Sequence, residues 1–322
     1  MSDPLPCFDH VLAAAARISP HAHVTPVLTS ETLDALAGAR LHFKAEHLQR
    51  AGAFKFRGAC NAVWALTDAQ ARAGVVTHSS GNHGAALALA ARTRGIACHV
   101  VVPEGAVVAK LASIRRYGAV LHTCAATLAS REETCAKVQR QTGAVLVHPY
   151  ANAEVIAGQG TAALELLNHT PGLDVLVVPV GGGGLASGSA IAVAAVASGC
   201  QVVLAEPEGA ADTARSLAAG ERRVDFVPDT VCDGLRGTLG QPNFELLTRY
   251  GAKVLTVGDA HTVDAMRLLW QATKQLVEPS SAIALAAVLQ HGPQFAGKRV
   301  GIILSGGNVD LDALPWSGGK AA

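Results

Sequence analysis

Apolar positions along the chain fall into short β-branched runs separated by longer alanine- and leucine-rich stretches. The runs are Val75–His78, Cys98–Val102, Val120–Thr123, Val145–His148, Val175–Val180, Gln201–Ala205, Lys253–Val257 and Arg299–Leu304, with a further strand expected over Leu41–Ala45. Between them, Gly84–Arg94, Val107–Tyr117, Gln159–Asn168, Leu185–Ala197 and Thr262–Val277 read as helices. Phe8–Ile18 reads as an amphipathic helix ahead of the Thr25-Pro26 turn. Strands alternating with helices of this length predict an α/β fold, with parallel sheets flanked by helices on both faces. Parallel sheets place their ligands at the carboxyl ends of strands, in the strand-to-helix turns. Candidate chemistry is therefore sought in those turns. No internal repeat or low-complexity linker marks a domain boundary.

Composition narrows the classes. The 322 residues suit two domains or one large α/β unit, and with half of them hydrophobic and 16% charged a sizeable core is available. A net charge of +1 without a basic run argues against nucleic acid or an acidic membrane surface as partner. Met1 to Cys7 has no positive charge before an apolar core, so no signal peptide is expected, and runs such as Val175 to Val180 are too short to span a bilayer. Seven cysteines, at 7, 60, 98, 124, 135, 200 and 232, form no C-x-x-C pair. That fits reduced thiols in a cytoplasmic protein rather than a disulfide frame or a zinc site.

Four turns and one lysine hold the candidate chemistry. Phe54-Lys55-Phe56 sets a lone lysine between two aromatic side chains, ahead of a helix-like run from Gly58 to Leu66. An amine held in a dry pocket loses its charge and becomes a nucleophile or base, which is what condensation with an aldehyde cofactor needs. A lysine snorkelling from a helix start fits the same stretch. After Val75–His78 comes Ser79-Ser80-Gly81-Asn82-His83-Gly84, directly before a helix; its hydroxyls, amide and imidazole beside a helix N-terminus make a seat for a carboxylate. An N-cap alone accounts for about two of those six residues. After Val175–Val180 comes Gly181-Gly182-Gly183-Gly184, which lets backbone N–H groups approach a phosphate closely. Gly181-x-Gly183-x-x-Ala186, with Glu206 on the next strand, also fits a loose dinucleotide fingerprint. The last strand ends in Leu304-Ser305-Gly306-Gly307-Asn308. The stretch Glu206-Pro207-Glu208-Gly209-Ala210-Ala211-Asp212 carries three carboxylates. Those oxygens suit a hard cation, and suit equally a solvated turn before an acidic helix start.

With these stretches in view the chain resembles the pyridoxal-phosphate serine/threonine dehydratase family of the tryptophan-synthase-β fold type. Within that family it is most similar to serine racemases and hydroxyaspartate dehydratases. The resemblance runs from about Ile18 to Asp310 and rests on Phe54–Ala59, residues 79–83, 181–184 and 305–308, in that order. It implies two domains, each an open, mostly parallel sheet flanked by helices, with the cofactor in the cleft between them. Residues 1–73 and 152–322 would form the large domain, and 74–151 the small domain with the Ser-Ser-Gly-Asn-His turn. No regulatory C-terminal domain is expected.

The resemblance also implies residue roles. Lys55 would bind the pyridoxal phosphate aldehyde and serve as the base, Phe54 would pack on the ring, and Asn82 would bond the ring hydroxyl. Gly181, Gly182, Gly183 and Gly184 would hold the phosphate, and Ser305 would face the ring nitrogen. Ser79, Ser80, Asn82 and His83 would hold the substrate carboxylate, Ser80 would double as acid/base on the face opposite Lys55, and Arg131 would lie near the mouth of the site. Glu206, the Ala210 carbonyl and Asp212 would hold Mg²⁺, Ca²⁺ or Mn²⁺. The implied activity is dehydration of L-serine, L-threonine or a related β-hydroxy amino acid to a keto acid and ammonia, with serine racemisation beside it, by a cytoplasmic homodimer acting on small amino acids. Dehydration of 3-hydroxyaspartate is the nearest alternative. A nicotinamide oxidoreductase using the Gly181 loop, or a non-catalytic amino-acid binder, are readings from other classes. Two positions depart from the family pattern: Ala53 replaces a serine or threonine, and Tyr150 stands where serine racemase has an asparagine.

Overall fold

The computed structural model describes residues 5–106 and 108–316. Val107, the expected first residue of a helix, and part of the Met1–Cys7 stretch lie outside the described residues. The strands in chain order are β1 (Val27–Leu28), β2 (Arg40–Lys44), β3 (Val75–Thr77), β4 (Cys98–Pro103), β5 (Val120–Cys124), β6 (Val145–Leu146), β7 (Val175–Pro179), β8 (Gln201–Pro207), β9 (Lys253–Val257) and β10 (Arg299–Ile303). They form a six-stranded sheet in the order β1-β2-β10-β7-β8-β9 and a four-stranded sheet in the order β5-β4-β3-β6. Apart from the antiparallel β1–β2 pair, the strand ladders are parallel, as in Ile303 opposite Lys44 and Val178 opposite Leu204. The α/β class expected from the alternating pattern is the observed one.

Every residue of β7 is buried, because helices cover both faces of the six-stranded sheet. On one side Ile283 and Leu285, from helix Pro279–Gln290, pack with Phe43, Val177 and Ile302. On the other, Ile156 and Leu166 of helix Ala153–His169 pack with Leu176 and Leu204. The four-stranded sheet packs Val75 and Val100 against Leu87 of helix Asn82–Arg94 and Phe56 and Val63 of helix Lys55–Ala65.

Helix Lys55–Ala65 therefore joins the two sheets. Its other side meets helix Ala153–His169 at Gly58 and Gly158, where backbones touch. A Cβ on Gly158 would stand 2.7 Å from Gly58 Cα, and one on Gly58 would stand 2.5 Å from Gln159 Nε2. One residue before Gly58, the fully buried Arg57 meets Glu46 at 2.7 Å and Glu165 at 2.7 Å, and Lys44 closes on Glu165 at 2.6 Å. Two cations and two carboxylates balance there, which is what makes charges tolerable inside a core.

Several boundaries differ from the sequence pattern. The expected Gly58–Leu66 helix begins at Lys55, and the one expected from Gln159 begins at Ala153, where the Asn152 side chain accepts the Val155 N–H at 3.0 Å. Helix Asp259–Thr273 stops short of Val277 because Lys274 turns to φ 59°. Strand β6 ends at Leu146 instead of His148: Pro149 has no N–H to extend a ladder. Helices Glu31–Ala37, Leu128–Thr142, Gln241–Arg249 and Pro279–Gln290 were not evident in the apolar pattern.

Candidate active site

Lys55 is the first residue of its helix, and its amine is buried beside the Phe54 ring, 5.1 Å from the centroid. The amine donates to the Pro149 carbonyl at 3.0 Å. Burial pushes its pKa down to about 8, against the raising pull of the Glu278 carboxylate. The free amine is thus a minor but much enlarged fraction near neutral pH, as a nucleophile or base requires. The Phe54 N–H donates to the Ser305 carbonyl at 2.9 Å, and Ala53 pairs with Gly306, so the turn after β10 lies against the lysine turn. The Ser305 hydroxyl is buried and reaches the Ser280 carbonyl at 3.4 Å.

The turn after β3 meets these elements from the four-stranded sheet. Asn82 starts helix Asn82–Arg94; its side-chain amide donates to both Glu278 oxygens at 2.9 and 3.1 Å, and its carbonyl accepts from Asn308 at 2.9 Å. His83 is buried, bonds the Val147 carbonyl at 3.2 Å through Nε2, and keeps Nδ1 without a partner. Burial and, next, the Lys55 charge push its pKa well down. Ser79 and Ser80 are half-buried in this turn, and neither hydroxyl bonds a described residue. Arg131 is half-buried close to His78, with its Nε buried and unpartnered.

Gly181–Gly184 follows β7 and leads into helix Gly184–Val196. One side of this loop is packed solid: a Cβ on Gly182 would stand 2.3 Å from the Tyr150 ring, and one on Gly181 2.8 Å from Leu235 Cα. Gly183 has φ +92°, open to glycine at little cost, and a Cβ there would meet Asn243 at 2.7 Å. The N–H groups of residues 181–184 donate to no described residue. Glycine therefore serves here to let neighbours press against the loop while its amides stay available at a helix N-terminus.

The acidic turn sits behind this loop. Glu206 accepts from Thr213 N–H and Ala214 N–H at 2.8 Å each, and Asp212 Oδ2 accepts from Leu239 N–H at 2.8 Å while Oδ1 is buried without a partner. Burial pushes Glu206 up to about 7 and Asp212 up to about 6, against those N–H bonds. Glu208 lies exposed against Gly258, away from this pair. Among the described residues no group of three or more His, Cys, Asp or Glu side chains gathers around a metal position.

Residues 18–306 match the family described as "Pyridoxal-phosphate dependent enzyme". The chain belongs to that family. It is 50% identical over 313 residues to the β-hydroxyaspartate dehydratase of Paracoccus denitrificans, covering 97% of this chain and 99% of that protein. It is 47% identical to the serine racemase of Arabidopsis thaliana, over 95% and 94% of the two chains. Maize serine racemase superposes with a TM-score of 0.94 at 44% identity, over 96% and 95% of the chains.

The site fits the cofactor of this pyridoxal-phosphate family on its own geometry. A buried amine of lowered pKa, an aromatic ring beside it and a run of available amides at a helix start are the groups that an aldehyde, a heteroaromatic ring and a phosphate each require. The structure brings Lys55, Phe54, Asn82, His83 and Ser305 around one cleft, with the glycine loop joined to it through Pro149-Tyr150. It sets Glu206, Ala210 and Asp212 apart, behind the loop. Glu278 is the side chain the sequence reading missed. It precedes Pro279 at the start of a helix, so in sequence it looks like a cap, and only its bonds to Asn82 reveal it as part of the cleft.

Proposed function

We propose that this protein, with pyridoxal phosphate as cofactor, eliminates water across the Cα–Cβ bond of a β-hydroxy α-amino acid, and that water then hydrolyses the released enamine to a keto acid and ammonia. The observation that carries this reading is the buried Lys55 amine between the Asn82 turn and the glycine loop. When bound, the cofactor supplies an aldehyde for the amine and a ring that withdraws electrons from the substrate Cα. Lys55 would hold that aldehyde, Phe54 would flank the ring, Asn82 would bond its hydroxyl, and Ser305 would face its nitrogen. The amides of Gly181, Gly182, Gly183 and Gly184 would hold the phosphate. Ser79, Ser80, Asn82 and His83 would orient the substrate carboxylate at the start of helix Asn82–Arg94. Lys55 Nζ, freed when the substrate amine replaces it at the aldehyde, would take the Cα proton on one face, and the Ser80 hydroxyl would serve the other. That second group supports serine racemisation beside dehydration.

A 3-hydroxyaspartate substrate is the second reading. The buried, unpartnered Nε of Arg131 favours it, as a donor for a second carboxylate, and so does the name of the Paracoccus relative. Glu206, the Ala210 carbonyl and Asp212 are proposed to hold Mg²⁺, Ca²⁺ or Mn²⁺. Two buried carboxylates, one with an oxygen lacking any donor, fit a hard cation. Residues 74–151 are proposed as a small domain because β3 to β6 all fall within them, with 1–73 and 152–322 as the large one. A cytoplasmic homodimer completes the proposal; the seven free cysteines, six of them buried, support a reducing compartment. No described helix is long and apolar enough to cross a membrane.

Borohydride reduction of the protein loaded with pyridoxal phosphate, followed by peptide mass spectrometry, tests the core of this reading. The pyridoxyl group is expected on Lys55; a label on another lysine, or none, overturns it.

A further inference from the structure

Between β6 and helix Ala153–His169 the chain makes a turn, His148-Pro149-Tyr150-Ala151, that touches two parts of the cleft at once. The Pro149 carbonyl accepts Lys55 Nζ at 3.0 Å. The next residue lays its ring on the glycine loop, so closely that a Cβ on Gly182 would meet it at 2.3 Å. Asn243 ties the same pair from behind, its side-chain amide donating to the Tyr150 carbonyl at 2.9 Å and the Gly182 carbonyl at 2.6 Å.

What holds the turn itself is not the backbone. Pro149 has no N–H, and the N–H groups of Tyr150 and Ala151 find no backbone acceptor among the described residues. Both donate to His148 Nδ1, at 3.4 and 3.1 Å. A nitrogen that accepts carries a lone pair, so the ring is neutral with its proton on Nε2. The surroundings keep it so: burial, then His78, whose ring meets it edge-on at 5.1 Å, and then Lys55 push its pKa down to about 4.

We propose that His148 is a positioning residue, whose Nδ1 sets the 148–151 turn so that the Pro149 carbonyl fixes the Lys55 amine and the Tyr150 ring braces the glycine loop. One side chain thus sets the spacing between the group that would bind the aldehyde and the loop that would bind the phosphate. This rests on the function proposed above for the assignment of those two groups.

Asparagine can place an acceptor where Nδ1 stands, whereas glutamine reproduces the Nε2 end of the ring. His148→Asn, His148→Gln and His148→Phe are therefore compared by steady-state turnover of the holoenzyme. The rate at which Lys55 of the cofactor-free protein is methylated by formaldehyde and cyanoborohydride, read by peptide mass spectrometry, is the second readout. Asn is expected to stay within about threefold of the parent in both. Gln and Phe are expected to lower kcat by about 30-fold or more with KM nearly unchanged, since small misplacement of reacting groups costs about that much, and to alter the Lys55 methylation rate. Retention by Gln with loss in Asn would mark His148 as a direct ligand contact through Nε2 and overturn the proposal. Parent-like behaviour of all three, or unaltered Lys55 methylation in Gln and Phe, would overturn it too. If the Phe variant does not fold, the Asn and Gln pair still decides. Methylation needs no cofactor, so failure of pyridoxyl labelling would sink the proposed function without deciding this one.

Discussion

On the function proposed above, Lys55 and Ser80 would divide the chemistry at the residue scale. The lysine is half-buried with its pKa lowered to about 8, and the serine is a half-buried hydroxyl that no described residue engages. A racemase needs an acid/base group on each face of the planar carbon, and Lys55 can serve one face. Ser80→Ala is therefore expected to abolish activity on D-serine, a loss of about 100-fold or more, which is the ordinary worth of a positioned acid/base group. Dehydration of L-serine should persist at a large fraction of the parent rate. Keto-acid release assayed separately on each enantiomer checks this. Equal loss on both would make Ser80 a carboxylate-binding residue and this protein a dehydratase without racemisation. His83, buried with its pKa pushed well down by burial and then by Lys55, is held as a neutral ring that does not compete for charge in the cleft.

At the scale of elements, two glycine contacts set the geometry. Gly58 and Gly158 let the Lys55 helix and helix Ala153–His169 pack backbone to backbone, and the Gly181–Gly184 loop accepts the Tyr150 ring. A side chain at either contact must push a whole element aside. Gly182→Ala places a carbon 2.3 Å from the Tyr150 ring. Overpacking of that kind costs about 1–3 kcal/mol. The variant should melt several degrees lower and retain markedly less pyridoxal phosphate, as read by thermal denaturation and by the cofactor absorbance after gel filtration. An unchanged melting point with full cofactor content would mean that the ring swings away and does not brace the loop. The same logic explains the buried Arg57, Glu46, Glu165 and Lys44 group. It fixes the Lys55 helix against β2 and helix Ala153–His169 by charges that are tolerable there only as a complete set.

Across the whole molecule, the carboxyl ends of the two sheets meet at the cleft. Asn82, at the four-stranded sheet, bonds Glu278 and Asn308, which belong with the six-stranded one. The acidic pair lies outside this cleft. Asp212 holds the Leu239 N–H, and the next N–H, of Gly240, donates to the Gly182 carbonyl at 3.1 Å, so a cation on Asp212 would firm the glycine loop at one remove. In the metal-free protein both carboxyls have raised pKa values, about 7 for Glu206 and about 6 for Asp212. A group with its pKa raised on folding keeps the folded state more protonated than the unfolded one. The associated stability is complete below the unfolded carboxyl pKa of about 4 and is lost as pH rises through 6 to 7. After exhaustive chelation the melting temperature should fall between pH 5 and pH 8. Added Mg²⁺, Ca²⁺ or Mn²⁺ should restore it at pH 8 and do little at pH 5, where the carboxyls are largely protonated. Indifference to chelator and metal at pH 8 would leave Glu206 as no more than a cap on the helix that begins at Asp212.

The sequence by itself determined the α/β class, the run of parallel strands and the turns that carry Lys55, Asn82 and the four glycines. A strand-to-helix turn advertises itself locally: apolar β-branched residues stop, small or polar ones follow, and a helix period begins. The Phe54-Lys55 pair and the Gly181–Gly184 run were legible for that reason. Only the tertiary structure decided which turns meet. Glu278 reads as a helix cap until Asn82, 196 residues away, is seen to donate to it. His148 reads as the end of a strand until its ring is seen accepting the N–H groups that follow. The depressed pKa of Lys55 has the same origin. A sequence shows that a lysine has aromatic neighbours, but desolvation depends on what closes over it, and that cover comes from Pro149, Glu278 and the turn after β10, each supplied by a distant part of the chain.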